Sequence, residues 1–171
     1  SRIAEGEPEI MDDGLIRPLS NGVNQSGVRD YNERLLLTLL QRGGAIPGSD
    51  LARVAGLSPQ TVSVILRKLE KDGLLDRGAP TKGKVGKPSV PMRLAADGVL
   101  SIGLKIGRRS ADIVLMDFLG TIRTQRTTTY AYPMPDLILE FLRDGLSDML
   151  APLSAAEEAR ICGLGVAAPF E

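Results

Sequence analysis

The chain has 171 residues, of which 43% are hydrophobic and 25% charged, and its formal net charge is zero, a composition typical of a soluble protein with one or two domains. It has one cysteine, Cys162, and no histidine, which excludes an internal disulfide, a zinc site with the usual ligands, and catalysis by a Ser-His-Asp or Cys-His set. No apolar run approaches the ~20 residues of a membrane span, and the acidic N-terminus does not resemble a secretory signal. These features predict a cytoplasmic protein without membrane contact.

Charge is distributed unevenly along the chain. Residues 28–95 contain 12 Lys and Arg against 6 Asp and Glu, whereas the remainder contains 9 against 15. Such a separation is a recognised sign of contact with nucleic acid. Basic residues scattered over solvated helix faces would give the same counts. The counts alone therefore do not distinguish a DNA-binding surface from ordinary surface, and the positions of the basic residues within motifs are needed.

Residues 1–27 are predicted to form a flexible N-terminal arm, because they are rich in small and polar residues and show little periodicity. From Val28 onward a helix is predicted, and Gly43-Gly44 ends it. Ile46 and Pro47 fit a short extended link. The apolar residues that define this first helix are Leu35, Leu36, Leu39 and Leu40.

Two further helices are predicted after this link. Ser49 is a candidate N-cap for the second helix, which would bury Leu51, Ala52 and Val54, and the turn at Ala55-Gly56-Leu57 follows it. Ser58 is predicted to cap the third helix, with Pro59 at its first position and Gly73 at its end. The buried face of the third helix has the i, i+3, i+4, i+7 spacing: Val62, Ile65, Leu66 and Leu69.

Two short strands are predicted next, at Leu74–Arg77 and Ser89–Leu94, with the basic, turn-rich segment GAPTKGKVGKP between them. Three helices followed by such a two-stranded wing make residues 28–95 a winged helix-turn-helix. In this fold the third helix enters the DNA major groove.

A second unit is predicted for residues 96–171. Three strand-like runs, VLSIGLKIG, SADIVLMDFLG and TIRTQRTTTY, precede an amphipathic helix at Asp136–Leu150 and a final strand at Ile161–Ala168. The helix is expected to pack against the sheet through Leu137, Leu139, Phe141, Leu142 and Leu146. This order predicts a β-meander entering an α/β fold. One helix covers only one face of a sheet, so we expect this unit to be incomplete and the chain to be truncated.

The outward side chains of the third helix suit base edges and phosphates. Gln60 can bond adenine through two hydrogen bonds, Ser63 can donate or accept, and Thr61 and Val64 offer methyl groups to thymine. Arg67 and Lys68 are expected to meet phosphates. The complete predicted DNA-binding set is Ser49, Ser58, Gln60, Thr61, Ser63, Val64, Arg67, Lys68, Arg77, Lys82, Lys84 and Lys87.

Each of these residues has a plainer alternative role. Ser58 is a cap whatever else it does, and Thr61 could simply pack or complete that cap. Gln60, Ser63 and Arg67 would be solvated surface on an ordinary helix. The tripeptide Gly86-Lys87-Pro88 can enter a narrow minor groove over A·T-rich DNA, or it can be a solvated loop.

These motifs, taken in order, resemble the N-terminal part of ROK-family (Repressor, ORF, Kinase) transcriptional regulators over roughly residues 22–171. The matching pieces are Asn24-Gln25-Ser26, Asn32-Glu33-Arg34, Asp50-Leu51-Ala52, Gly56-Leu57-Ser58, Thr61-Val62-Ser63, Leu69…Gly73-Leu74-Leu75 and Gly86-Lys87-Pro88.

The resemblance implies an α+β chain, in which the winged helix-turn-helix precedes the beginning of an actin-like ATPase (ROK) domain. It also implies a bacterial regulator that represses carbohydrate-metabolism genes. Such a regulator would bind duplex DNA at an A·T-containing pseudopalindromic operator as a homodimer or tetramer. A sugar or sugar-phosphate effector, and the family's zinc motif, would bind beyond Glu171, so no cofactor is expected in this segment.

Kinases that resemble the second unit carry an Asp-x-Gly-Gly-Thr phosphate-binding turn. This chain has Lys105-Ile106-Gly107-Arg108-Arg109 instead. Without the magnesium-associated carboxylate, phosphoryl transfer is not expected, and we predict that the chain is not an enzyme. The alternatives are a sugar kinase with an accessory winged helix, and a winged helix that serves protein contacts.

Overall fold

The computed structural model describes residues 25–80 and 90–168. Its helices are α1 (Gln25–Gly43), α2 (Gly48–Ala55), α3 (Pro59–Lys71), α4 (Pro135–Leu150) and α5 (Ala155–Glu158), and a short 3₁₀ helix covers Ala96–Gly98. Its strands are β1 (Ile46–Pro47), β2 (Leu75–Arg77), β3 (Pro91–Leu94), β4 (Leu100–Ile106), β5 (Ser110–Met116), β6 (Ile122–Thr129) and β7 (Ile161–Ala167).

The first unit is three helices against a small antiparallel sheet of order β1-β3-β2. Its core takes residues from all three helices and from the wing strands, including Leu36, Leu51, Leu69, Leu75 and Met92. The register of β3 is fixed on both sides, because Met92 pairs with Ile46 of β1 and with Arg77 of β2. This arrangement positions α3 with one face in the core and the other exposed.

The helix ends follow the turn residues of the sequence. Gly56 and Gly73 have φ of 66° and 76°, in the left-handed region that favours glycine. At the end of α3 the N–H of Leu74 donates to the carbonyl of Leu69, and the N–H of Gly73 donates to that of Glu70. The expected turn after α2 and the expected end of α3 are therefore confirmed.

Three expectations in this first unit were wrong. α1 begins at Gln25, so residues 25–27 are helical and do not belong to an arm; residues 1–24 lie outside the described part. Ser49 does not cap α2, because the helix begins at Gly48 directly after the strand residue Pro47, and no side chain caps it. Val54 is 60% exposed, since the short helix turns only Leu51 and Ala52 fully inward.

The second unit is a four-stranded sheet of order β6-β5-β4-β7. β4, β5 and β6 form the expected antiparallel meander, and β7 returns parallel to β4. α4 covers one face, and the core beneath it includes Leu100, Ile102, Ile113 and Phe141. This order matches the meander, helix and strand that the sequence predicted.

The face that α4 presents to the sheet agrees only in part with the expected one. Its buried residues are Ile138, Phe141, Gly145 and Met149, whereas Leu137 and Leu139 are exposed. The helix approaches the sheet at Gly145, where an added Cβ would lie 2.9 Å from the Cγ2 atom of Ile113. Of the predicted packing residues, Phe141 is buried and Leu142 and Leu146 pack against the core, so the expectation was wrong only for the two exposed leucines. The sequence prediction also missed Gly145, because it did not consider glycine as a packing residue.

The two units are joined by polar contacts as well as by the chain. The Arg160 guanidinium donates to the carbonyl of Asp72, at the end of α3, at 2.8 Å. The same guanidinium also donates to the carbonyl of Gly98, within the second unit, at 3.4 Å. Phe118 packs against the core of the first unit. Within residues 25–80 and 90–168, no helix has the length and apolar character that a bilayer span requires.

Candidate nucleic-acid interface

The two faces of α3 carry different chemistry with the same spacing. Val62, Ile65, Leu66 and Leu69 are buried, and the sequence expectation for this face is confirmed. Gln60, Ser63, Val64 and Arg67 repeat the i, i+3, i+4, i+7 spacing two residues earlier, and all four are exposed. Because two residues correspond to about 200° around a helix, this second row points away from the core. We call these four residues the outer row.

The start of α3 is fixed by a local cap. The Ser58 hydroxyl accepts from the N–H of Thr61 at 3.1 Å, and Pro59 occupies the first turn. The Thr61 hydroxyl lies 2.8 Å from the Ser58 hydroxyl, so Thr61 completes the cap. These bonds hold the N-terminal end of the outer row rigid and leave Gln60 free of the capping interaction.

A cleft of about 340 Å³ borders α3 on the side of α2 and the wing. Ser49 lies in it at the start of α2, and Ser63 and Arg67 reach it from α3. The Arg67 Nε donates to the carbonyl of Ser63 at 3.2 Å, which directs the guanidinium along the outer row. With Arg77, which also lines it, the cleft therefore brings together four residues that the sequence predicted as DNA contacts.

Lys68, whose side chain is partly exposed, is paired with an acidic residue of α1. Its ammonium donates to both carboxylate oxygens of Glu33 in α1, at 2.7 and 2.8 Å. The Glu33 side chain is only 14% exposed, so this pair links α1 to α3. No local sequence pattern could reveal it, because 35 residues separate the partners.

Arg77 is also paired. Its Nε and Nη2 donate to the two carboxylate oxygens of Glu70, at 2.5 and 3.0 Å. The hydrogen bonds from Arg77, reinforced by its charge, lower the pKa of Glu70, and the same contact raises the pKa of Arg77. Glu70 is thus a residue of the cleft that sequence reasoning missed.

The remaining predicted contacts belong to the wing tip. Lys82, Lys84 and Lys87 lie outside the described residues. In the second unit, Lys105 is exposed on β4, and Gly107 to Arg109 form the turn into β5. Over the described ranges, no three His, Cys, Asp or Glu side chains come close enough to hold a metal ion.

Residues 29–76 match the protein family described as "Winged helix-turn-helix DNA-binding". The match runs from the first turns of α1 to β2, so it includes all three helices. The first unit is therefore a winged helix-turn-helix domain.

Curated relatives extend the similarity into the second unit. A Sinorhizobium fredii protein, "Uncharacterized protein y4fQ", is 27% identical over 138 residues, which are 81% of this chain and 35% of that protein. The Escherichia coli "DNA-binding transcriptional dual regulator NagC" is 23% identical over 72% of this chain and 30% of its own length. The Bacillus spizizenii "Xylose repressor" is 23% identical over 85% and 38%. The chain spans about a third of the length of these relatives.

One solved structure supports the architecture of both units. It is described as a ROK family transcriptional regulator, homolog of the E. coli Mlc protein. It aligns with a TM-score of 0.58 at 19% identity, over 83% of this chain and 36% of the other. Together with the family match and the named relatives, this structure confirms the resemblance to ROK-family regulators. The fold is a winged helix-turn-helix followed by a sheet unit that aligns with part of that regulator.

Proposed function

We propose that this chain is the DNA-reading part of a ROK-type transcriptional regulator that represses carbohydrate genes. The observation that carries the proposal is the outer row of α3: four side chains able to contact DNA, exposed on a capped helix. From Gln60 to Arg67 this row extends about 10 Å along α3, and the diameter of an α-helix, about 10–12 Å, fits a major groove about 12 Å wide. The named functions of two relatives, a dual regulator and a xylose repressor, agree with this reading.

The side chains of the interface divide by chemistry. Gln60, Ser63 and Val64 stand where base edges would be read, with Gln60 suited to adenine and the Val64 methyl groups to thymine. Ser58 and Thr61 fix the helix start beside them. Phosphate contacts are proposed for Arg67 and for Ser49 and its backbone N–H at the start of α2. The wing lysines Lys82, Lys84 and Lys87 are proposed to contact phosphates or the minor groove.

Lys68 and Arg77 are placed differently within this proposal. The Lys68 ammonium is engaged by both oxygens of Glu33, so we assign it a structural part and no DNA contact. Arg77 can reach a phosphate only by leaving Glu70. Because this pair is exposed, exchange of Glu70 for a phosphate costs little.

Effector control and assembly are proposed from the second unit and from the relatives. A sugar or sugar phosphate bound by a complete ROK domain would alter DNA affinity through a coupling of about 1–3 kcal/mol. Two copies would place two outer rows on the half-sites of a pseudopalindromic operator. Adding N-acetylglucosamine or xylose to the operator complex of the full-length protein tests the coupling; unchanged affinity with every sugar would contradict it.

The direct test of base reading is Gln60→Ala, assayed by fluorescence anisotropy. The best duplex is first selected by the parent chain from a random 30-base-pair pool. Gln60→Ala should lower its affinity by about 1–3 kcal/mol and relax the preference at one base pair. Gln41→Ala removes the same side chain from an exposed position in the last turns of α1 and is the matched control. Equal behaviour of both variants would refute the assignment.

A winged helix that binds only proteins predicts a different response to salt. A phosphate-binding domain loses DNA affinity steeply, with a slope near −0.9 in log affinity per neutralised phosphate. A flat response, or no binding to any duplex, would contradict the regulator proposal.

A ROK-type sugar kinase is the second candidate, since it would share the fold of the second unit. The exposed Lys105 stands on β4 where the kinase turn has its aspartate, so this chain lacks the carboxylate that would meet magnesium. The regulator proposal therefore assigns no enzymatic activity. ADP release from ATP and a hexose in a coupled assay would favour the kinase instead.

A further inference from the structure

A second groove borders α3 on the side opposite the cleft that contains Ser49. It lies between the first turns of α1 and the start of α3, with a volume of about 430 Å³. α1 contributes Val28, Arg29 and Asn32, and α3 contributes Gln60, Thr61 and Val64 among others. Two residues of the outer row, Gln60 and Val64, therefore stand directly beside a cation of α1. We call this space the α1 groove.

The outer row thus has a flank on each side. Ser63 and Arg67 face the cleft towards α2 and the wing, whereas Gln60 and Val64 face the α1 groove. A helix seated in the major groove has one phosphate backbone on either side of it, because the two strands form the walls of that groove. The cleft presents polar and basic groups to one of these two phosphate backbones. The α1 groove, on the opposite side of α3, must then face the other phosphate backbone.

We propose that Arg29 binds the phosphate backbone on the α1 side of the recognition helix. The inference rests on the proposed function, and it adds an element that the helix-turn-helix motif itself does not contain. The Arg29 side chain is 56% exposed at the mouth of the groove. A guanidinium at the edge of a helix that reads bases is suited to phosphate, which it binds through two parallel hydrogen bonds.

The groups around Arg29 leave it available for this contact. Its Nε lies 3.3 Å from one oxygen of Glu33, in an exposed pair four residues apart. The same carboxylate accepts two shorter bonds, 2.7 and 2.8 Å, from Lys68. Glu33 therefore stays neutralised by Lys68 when Arg29 turns towards a phosphate. The Glu33 carboxylate therefore binds Lys68 through two short hydrogen bonds and Arg29 through one longer contact.

The test compares two charge-removing variants of α1. Arg29→Gln removes the proposed contact, and Arg42→Gln removes the same charge from the last turn, about 20 Å along the helix. Each is titrated with the selected duplex and with a random-sequence duplex of equal length, over a series of salt concentrations. Thermal unfolding of each variant checks that the chain is folded.

Arg29→Gln should weaken binding to both duplexes about 3- to 10-fold and reduce the salt slope by about 0.9, as expected when one phosphate contact is lost. Arg42→Gln should leave affinity and slope unchanged. Parental affinity and slope in Arg29→Gln, or equal losses in both variants, would overturn the assignment while leaving the regulator proposal intact. Failure of the parent chain to bind any duplex would overturn both.

Discussion

The two units of this chain bury their apolar residues in different ways. In the winged helix, three helices and a small sheet enclose one core, and Leu36, Leu51 and Leu69 are almost fully buried. In the second unit, α4 covers one face of the sheet, and Gly103, Lys105 and Gly165 line an open depression on the other. β7 is exposed along nearly its whole length.

The difference depends on whether elements that are adjacent along the chain can together enclose a core. The winged helix is closed by elements that follow one another over about 70 residues, so neighbouring segments complete each other's apolar faces. The meander also pairs neighbours, but its helix reaches only some of the strands. Apolar residues of β7 such as Leu164 and Val166 remain exposed beside a well-packed core. Substitutions in the two environments should therefore differ widely.

The largest contrast is expected between Leu36→Ala and Leu164→Ala. Leu36 has no exposed surface, so its truncation should lower the free energy of unfolding by about 2–5 kcal/mol. Leu164 is 43% exposed and has few neighbours to lose, so its truncation should cost less than about 1 kcal/mol. Urea unfolding measures both. Similar losses would mean that β7 is packed against something that the described residues do not supply.

A smaller loss of stability is expected from Gly73→Ala, which tests the contact that Arg160 makes with the end of α3. Gly73 and Gly56 both have left-handed φ, so alanine at either position should cost about 1–2 kcal/mol. An added Cβ at Gly73 would also lie 2.8 Å from Nη2 of Arg160, whereas at Gly56 it meets nothing. Gly73→Ala should therefore cost about 0.5–1.5 kcal/mol more, through loss of the Arg160 hydrogen bonds.

The background variant Arg160→Gln provides the control for that comparison. In this background the two alanine substitutions should have the same cost, because no guanidinium remains to be displaced. A persistent difference would show that backbone strain at Gly73, and not the contact between units, sets the larger loss. Thermal or urea unfolding of the four alanine variants, each compared with its own background (the parent chain or Arg160→Gln), measures it.

The Glu33–Lys68 pair, which links α1 to α3, should contribute still less to the free energy of unfolding. Glu33→Gln removes the negative charge and one of the two oxygens that accept from Lys68, and because Lys68 is 42% exposed, solvent screening limits the loss to about 0.5–1 kcal/mol. Arg53→Gln, which removes an exposed partner of Asp50, should change stability by less than that. An effect of Glu33→Gln no larger than that of Arg53→Gln would remove the structural part assigned to Lys68.

The smallest effect is expected from the pair in the cleft, and it depends on pH. The pKa of Glu70 is lowered in the folded chain by the hydrogen bonds from Arg77. A lowered folded pKa means that the stabilisation is present above the unfolded pKa and is lost as the pH falls through the folded pKa. Glu70→Gln should therefore be less stable than the parent at neutral pH and equal to it in acid. A difference that grows on acidification would contradict this.

The regular parts of the fold could be predicted from sequence because their signals are local. The four buried positions of α3 follow from its apolar spacing, and the caps at Ser58 and Gly56 follow from residue type. Ser49 was misplaced because a cap was inferred from side-chain chemistry, while the pairing of Pro47 with Pro91 fixes where the strand ends and α2 begins. A strand that pairs with a residue 44 positions away leaves no trace in the local pattern.

The predicted DNA contacts also divide into those that follow from local sequence and those that depend on residues far along the chain. The outer row of α3 follows from helix periodicity, and the structure exposes all four of its members. Whether a basic residue is free is another matter. Lys68 and Arg77 looked alike in sequence, yet each makes two hydrogen bonds to a carboxylate. Arg29 received no role in the sequence analysis, and it makes one longer contact with Glu33, at 3.3 Å, at the edge of a groove.

The sequence by itself determined which residues of α3 face inward, where that helix starts, and that its exposed edge carries amide, hydroxyl and guanidinium groups. These are consequences of backbone periodicity and of the chemistry of single residues, which act over a few positions. Only the tertiary structure decided which cations are neutralised and which face of the sheet is open. Charge pairing and burial depend on distance in space, and the partners here are brought together from far along the chain.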